Sequence, residues 1–363
     1  MRRSADVLLT GASGFVGSAV LRELLRDGFR VRALIRPGSH YEDLIERGVQ
    51  FVEGDLMEGG SLRNACDDCR YLFHLAADYR LSLRDSAAVF ATNVNGTRRL
   101  MEEAIRAGLE RIVYTSSVAT LDCRQAGAPA DEATTLPVEC AVGAYKTSKI
   151  MAEQLVLGMC RSSGLPVVVV NPSTPVGPRD IRPTPTGKII VAAASGGMPA
   201  YVDTGLNLVH VDDVARGHVA ALRRGRIGER YILGGENVLF SQMLAEIAAS
   251  VGRRPPKFRV PWYAAVPAAL AGEIQARLTG KEPLATWAGV NLARHKMFFT
   301  SGKAEQELGY CARPHGEALN DAITWFGSHG YLRLRASQPS LRAGRSRVAN
   351  ALSRVRGAHR SVS

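Results

Sequence analysis

No apolar run in the 363-residue sequence approaches the ~20 residues that a membrane-spanning helix needs. The stretch from Trp262 to Gly272 is apolar but too short, and prolines at 255, 256 and 261 crowd its start. Cysteine is sparse: six thiols cannot staple a chain of this length, and without an export signal they read as reduced thiols of a cytoplasmic protein. Acidic residues are missing altogether from Tyr331 to Ser363, where eight arginines fall. Without that tail the chain holds 38 basic and 34 acidic residues, so the formal charge of +12 drops to +4. A nearly balanced body argues against nucleic-acid binding. The tail itself is expected to be disordered. Leu, Val and Ala between its arginines suit peripheral contact with anionic headgroups of the inner membrane.

What is present is globular material, 46% hydrophobic and 22% charged. Through the first half, short apolar strands alternate with helical patterns: Val7-Leu8-Leu9, then a helix from Phe15 to Arg26, then Val31 to Ile35. Further strands are expected at 50–53, 71–75, 111–115 and 167–171, and a clear helix at 145–160. Such alternation implies an α/β, doubly wound parallel sheet, a Rossmann arrangement, with a smaller C-terminal substrate lobe. The expected division is 1–172 for dinucleotide binding, 173–330 for the substrate lobe with segments returning to the sheet, and 331–363 for the basic tail. Pro and Gly are frequent from Pro172 to Gly205, which reads as a loop-rich wrap around a ligand.

Three groups of residues carry chemistry. Thr10-Gly11-Ala12-Ser13-Gly14-Phe15-Val16-Gly17 follows a strand and opens a helix, where glycines permit a tight turn and close approach of backbone to a pyrophosphate. Arg36 closes the second strand where an NAD site usually places Asp or Glu. A cation there suits a 2′-phosphate, so NADP(H) is favoured and NAD(H) is the alternative. Tyr145 and Lys149 stand one helical turn apart, and Ser117 follows the strand 111–115. A phenol titrates near 10, and a nearby ammonium lowers that value, which makes Tyr145 a usable acid/base, with Ser117 bonding the substrate oxygen.

With these residues in place the chain resembles the extended short-chain dehydrogenase/reductase superfamily. The likeness includes Asp55-Leu56, His74-Leu75-Ala76-Ala77, Asn95-Gly96-Thr97, Asn171-Pro172-Ser173 and His210-Val211-Asp212-Asp213. Within it the chain is similar to the dihydroflavonol-reductase-like branch and, more narrowly, to hopanoid-associated sugar epimerases. The segments 171–180, 183–188, 198–207, 231–237 and 296–299 carry that closer likeness. The resemblance implies an NAD(P)-dependent oxidoreductase or epimerase in hopanoid, that is triterpenoid lipid, metabolism, with a small-molecule or lipid-like substrate and a homodimer. It implies catalytic Ser117, Tyr145 and Lys149. Cofactor contacts are expected at Gly11, Ser13, Gly14, Phe15, Val16, Gly17, Arg36, Asp55, Leu56, Ala76, Ala77, Asn95, Tyr145, Lys149, Pro172 and Ser173.

Two departures narrow the reaction. Sugar-nucleotide epimerases of the superfamily hold the diphosphate with an arginine four residues before the histidine of His-Val-x-Asp. Here Leu206 stands there, with Asn207 beside it. Sugar dehydratases place Asp-Glu after the serine, where this chain has Val118-Ala119. A reductase or dehydrogenase is therefore the leading expectation and a sugar epimerase the alternative. A non-catalytic dinucleotide sensor comes third, because such proteins often lose the tyrosine or lysine that this chain keeps. The pair Cys66 and Cys69, together with Cys123 and Cys140, reads as packing. Asp213 reads as a helix N-cap and His74 as packing beside the cofactor loop. Asp78, Tyr79 and Arg80 are weak pocket candidates.

Overall fold

The computed structural model describes residues 5–38, 49–78, 86–124, 128–279 and 287–332. The first part of the chain runs β1 (Val7–Thr10), α1 (Phe15–Arg26), β2 (Val31–Ile35), β3 (Val49–Glu53), α2 (Gly59–Cys66), β4 (Tyr71–His74) and α3 (Ser86–Phe90). A π-helical turn (Ala91–Gly96) then leads into α4 (Thr97–Arg106), β5 (Arg111–Thr115), α5 (Ala144–Ser163) and β6 (Val167–Pro172). The second part continues with β7 (Thr174–Val176), α6 (Pro185–Ser195), β8 (Ala200–Val202), β9 (Gly205–His210), α7 (Val211–Arg224), β10 (Arg230–Leu233), β11 (Glu236–Leu239) and α8 (Phe240–Ser250). It ends with β12 (Phe258–Val260), α9 (Val266–Thr279), α10 (Trp287–Leu292), β13 (Lys296–Met297), α11 (Gly302–Leu308) and α12 (His315–Ser328). Among the described residues no helix is long and apolar enough to cross a membrane.

Seven strands form one parallel sheet in the order β10-β6-β5-β4-β1-β2-β3. This is the expected doubly wound α/β sheet. Its central strands are buried along their whole length because helices cover both faces, so they read as continuous apolar runs rather than alternating ones. One layer packs Leu9, Val20, Leu24, Val113, Val170 and Val214; the other packs Leu8, Leu62, Leu100, Ile112, Tyr114 and Val169. The chain order reverses between β1 and β4, and the crevice at the carboxyl ends of those strands is where such sheets take ligands. A second apolar core lies among α6, α8, α12 and β9, built on Ile190, Leu208, Leu244, Ile247 and Phe326.

Two expectations need correction. The span from Pro172 to Gly205 is not mainly loop, because α6 occupies Pro185–Ser195. Its start signal stands in the sequence: Thr184 caps it by accepting from Gly187 N–H at 3.1 Å, and Pro185 sits at the first helical position, where a missing N–H costs nothing. Asp213 is not an N-cap. His210 fills that place, its Nδ1 accepting from Asp212 N–H at 3.0 Å, and α7 starts at Val211. Asp213 is instead fully buried in the first turn. It takes Arg313 N–H at 2.8 Å and Arg313 Nε–H at 3.0 Å, and pairs with Arg216, which ties the start of α12 to α7.

Removing one partner of a buried charge costs more than the pair itself gains. Arg313→Met is therefore expected to lower unfolding free energy by about 2–3 kcal/mol, with Arg216 retaining part of the compensation. Urea denaturation checks this, and a loss below ~0.5 kcal/mol would mean that Asp213 is satisfied without Arg313.

Candidate active site

The glycine turn lies between β1 and α1, hard against the end of β4. Gly11 has φ +78°, and a Cβ there would stand 2.7 Å from Ala76 N and 2.8 Å from the Leu75 carbonyl carbon. A Cβ on Gly17 would fall inside the Gly11 carbonyl oxygen. Both positions therefore need glycine, Gly11 for its backbone conformation and Gly17 for close packing of helix on turn. Gly14 caps α1 without any side-chain bond, and the first turn carries no acidic residue. The N–H groups at Phe15 and Val16 thus head a helix whose dipole favours an anion. Ser13 and Gly14 are exposed at its lip.

Behind this turn sits a buried polar relay. Thr10 Oγ1 bonds His74 Nδ1 at 2.8 Å and accepts from Ala76 N–H at 3.2 Å, and His74 Nε2 bonds Thr97 Oγ1 at 2.9 Å. Burial holds the His74 imidazole neutral, with its pKa pushed down to about 3. His74 therefore fixes the β1, β4 and α4 ends around Gly11, and Ala76 and Ala77 follow half-buried beside the turn. Leu56 is buried and close enough to Gly96 that a Cβ there would lie 2.9 Å away. Asp55 Oδ1 accepts from Met57 N–H at 2.8 Å, which shapes the same corner. Arg36 is exposed just past β2.

The two asparagines of this region differ in burial. Asn95 lies on the exposed side of the π-helical turn, whereas Asn93 is buried. Asn93 Oδ1 accepts from Asp78 N–H at 2.7 Å, and its amide donates to Asp78 O at 2.9 Å and to Ser148 Oγ at 3.0 Å. One side chain thus joins the end of β4 to α5, one turn from Tyr145. The available signal was position: two residues earlier in the same turn faces the opposite side of a helix. Asp78 contributes its backbone to this link. Tyr79, Arg80 and the tail 333–363 lie outside the described residues.

Ser117, Tyr145 and Lys149 come together at the carboxyl end of β5. Ser117 Oγ accepts from Ala119 N–H at 3.1 Å and lies near enough to the Tyr145 phenol to influence its titration. Burial pushes the Tyr145 phenol up, and the neighbouring Ser117 hydroxyl works against that rise. Lys149, buried one turn along α5, donates to Thr115 O at 2.9 Å and lies 5.5 Å from the Tyr114 ring centre. Burial lowers its pKa to about 8, with Glu153 opposing the shift. Behind Ser117, Asn171 Nδ2 donates to Ser117 O at 3.1 Å, to Thr120 Oγ1 at 3.1 Å and to Glu153 Oε2 at 2.7 Å. Arg230 holds the other Glu153 oxygen at 2.9 Å. Sequence reasoning missed Glu153 and Arg230, which bear on the site only through these bonds.

Three buried polar atoms have no hydrogen-bond partner among the described residues: Ser116 Oγ, Asn171 Oδ1 and Ser173 Oγ. They sit at the ends of β5 and β6. Orphaned groups of this kind call for an outside partner, and together with the glycine cradle they fit a dinucleotide laid across the strand ends. Pro172 is buried beside them.

A family model described as the NAD dependent epimerase/dehydratase family matches residues 7–234. The chain belongs to that family. A Synechocystis sp. protein bearing a dihydroflavonol 4-reductase name is 43% identical over 329 residues, 90% of this chain and 95% of its own. Sterol demethylase protein B of Methylococcus capsulatus is 32% identical over 327 residues, 90% of this chain and 99% of its own. The crystal structure of gox2253 superposes with a TM-score of 0.82 at 48% identity, covering 91% of this chain and 100% of that one. The family member described here is an NAD(P)-dependent oxidoreductase or epimerase.

The remaining candidates are structural. Cys66 and Cys69 are buried, burial pushes the Cys66 thiol up to about 12, and no group of three metal-ligating side chains occurs among the described residues. Cys123 is half-buried, but Cys140 is exposed and fills no core, contrary to expectation.

Gly17→Ala drives a methyl into the Gly11 carbonyl and must shift α1. The expected outcome is loss of retained nucleotide, measured by mass after denaturing the purified protein, with unfolding free energy lower by about 2–3 kcal/mol. Full retention would show that the turn tolerates the shift.

Proposed function

We propose that the chain is an NADP(H)-dependent oxidoreductase that exchanges hydride with a carbonyl or secondary alcohol carbon of a polycyclic, lipid-like substrate in hopanoid metabolism. The observation that carries the chemistry is the meeting of Ser117 and the Tyr145 phenol beyond the end of β5, with buried Lys149 one helical turn along α5 and bonded to Thr115 O. Gly11, Gly14, Phe15, Val16 and Gly17 would hold the pyrophosphate, Asp55, Leu56, Ala76 and Ala77 the adenosine side, and Pro172 and Ser173 the nicotinamide end. When bound, the dinucleotide supplies a hydride donor or acceptor.

The protein handles the proton. In the reducing direction Tyr145 Oη gives its proton to the substrate oxygen, while the Ser117 hydroxyl bonds that oxygen and sets its distance from the phenol. Burial alone makes the tyrosinate costly, so a cation beside it is what renders the transfer feasible near neutrality. Lys149 provides that charge while protonated. Thr115 O and the Asn93–Ser148 link hold α5 in register, so the two groups keep their spacing.

Arg36 supports the choice of NADP(H): exposed past β2, it is free to meet a 2′-phosphate where a carboxylate would repel one. The substrate class rests on the resemblance to hopanoid-associated proteins and on the sterol demethylase relative. Epimerisation would use the same three residues. Leu206 is buried in the core of the second lobe, and Asn207 is spent on Gly235 O, Asn237 Oδ1 and Phe299 O, so neither reaches for a nucleotide diphosphate.

Tyr145→Phe is expected to lower turnover about a thousandfold while dinucleotide affinity survives; steady-state kinetics beside fluorescence titration would show it, and retained turnover would exclude the role. Arg36→Ala is expected to weaken NADPH binding about tenfold and leave NADH unchanged. Equal loss for both would remove the 2′-phosphate assignment. The pH dependence follows from Lys149, which is charged below about 8. In the reducing direction kcat/KM should be level below that pH and fall above it. Lys149→Arg, charged throughout, should carry the plateau at least ~1 unit higher, and an unmoved profile would assign the fall to another group.

A further inference from the structure

From 247 to 272 the chain has no acidic residue, yet Arg253, Arg254, Lys257 and Arg259 fall together within it. This stretch folds as β12, a tight helical turn at Trp262–Ala265 and the start of α9, and α10 packs against the last two. Phe258 is 71% exposed, Tyr263 64% and Ile274 59%. On α9, Pro267, Leu270, Ala271 and Ile274 are all exposed, and their spacing of three, four and seven places them on one helical face. Ala269 is buried on the opposite side. An apolar stripe thus faces outward. Cations flank it in the chain: Arg254 and Lys257 are exposed just before β12 and Arg259 is exposed on it, while exposed Arg294 stacks over the Trp262 ring at 4.4 Å. Asp203 pairs with Arg259, so the excess positive charge of the patch rests on Arg254, Lys257 and Arg294.

Charge decides what covers this face. A second copy presenting the same face would gather both sets of Arg254, Lys257 and Arg294 into one interface, which is repulsive. A lipid surface meets both parts of the pattern, since phosphates take the cations and the boundary below the headgroups takes the apolar side chains. We infer that this face docks on an anionic lipid bilayer, with Tyr263, Leu270 and Ile274 entering the headgroup boundary and Arg254, Lys257 and Arg294 against lipid phosphates.

The face also borders the candidate site. β13 follows α10, and its Met297 packs with Leu121 and Phe299 beside Val118 and Cys123, just after Ser117. A bilayer-dissolved alcohol or ketone would then reach Ser117 beside the surface that holds it. That last step rests on the function proposed above, whereas the docking does not.

Full-length protein is to be sedimented with vesicles of phosphatidylcholine alone and with vesicles of phosphatidylcholine and phosphatidylglycerol in equal parts. The mixed vesicles are expected to bind and the neutral ones to bind at least ~tenfold more weakly. Leu270→Ser with Ile274→Ser should weaken binding to mixed vesicles by at least ~tenfold at unchanged thermal unfolding. Arg254→Gln with Lys257→Gln should weaken it about twenty-fivefold, at about fivefold per cation. Unchanged affinity in the Leu270/Ile274 variant would overturn the inference and assign any binding to another segment, such as the arginine-rich tail. A change of oligomeric state in that variant with vesicle affinity intact would overturn it too, making the face a contact between copies. The readout involves no turnover, so inactivity of Tyr145→Phe and failure to bind vesicles are separately visible.

Discussion

Gly11 is squeezed from two sides. The backbone at the end of β4 presses on one, α1 closes over the other at Gly17, and neither neighbour leaves room for a methyl group. That tightness sets the distance between β1, β4 and the first helix, and so sets the mouth of the crevice where the strand order reverses. The polar relay through Thr10, His74 and Thr97 is its complement: a neutral imidazole, kept neutral by burial, ties three elements together without placing a charge behind the cradle. Loosening that point would displace the anion-binding helix end relative to every residue at the ends of β5 and β6.

How far the sequence speaks for itself depends on whether a residue's neighbours in space are also neighbours in the chain. The glycine turn, the parallel strands and the Tyr145–Lys149 pair are local patterns with a fixed period, and they are legible. Ser117 is nearly so, since it follows a strand. Asn93 was not distinguished from Asn95 because two residues of one helical turn differ only in the face they present, and a π-helical turn alters that facing again. Asp213 looked like a cap because it is acidic and stands near a helix start. Of its partners, Arg216 is local, but Arg313 lies 100 residues away, and no local rule points to it. The helix at Pro185–Ser195 was masked by high Pro and Gly content, although Thr184 and Pro185 form an ordinary start signal.

Behind the candidate site a polar cluster continues away from the strand ends: Glu153, Asn171 and Arg230 join α5, β6 and β10. Asn171 spends its amide hydrogens on three acceptors, one of them the Ser117 carbonyl, and leaves its own oxygen without a partner. The serine is therefore held by its backbone carbonyl and by the Ala119 N–H that its oxygen accepts, which leaves its hydroxyl hydrogen to donate toward the site.

The edge strand β10 comes from residues 230–233, far beyond the sixth strand it pairs with, and Arg230 at its start reaches Glu153. Between them the chain has already built β7, β9 and α7, of which α7 packs back on α1. Each lobe therefore borrows backbone from the other. A cut between residues 172 and 205 would not release a self-sufficient nucleotide-binding half, for that half would lose both its edge strand and the helix covering one face. The two lobes should melt in a single transition, and evolution could not have exchanged the substrate lobe as a cassette without re-stitching the sheet.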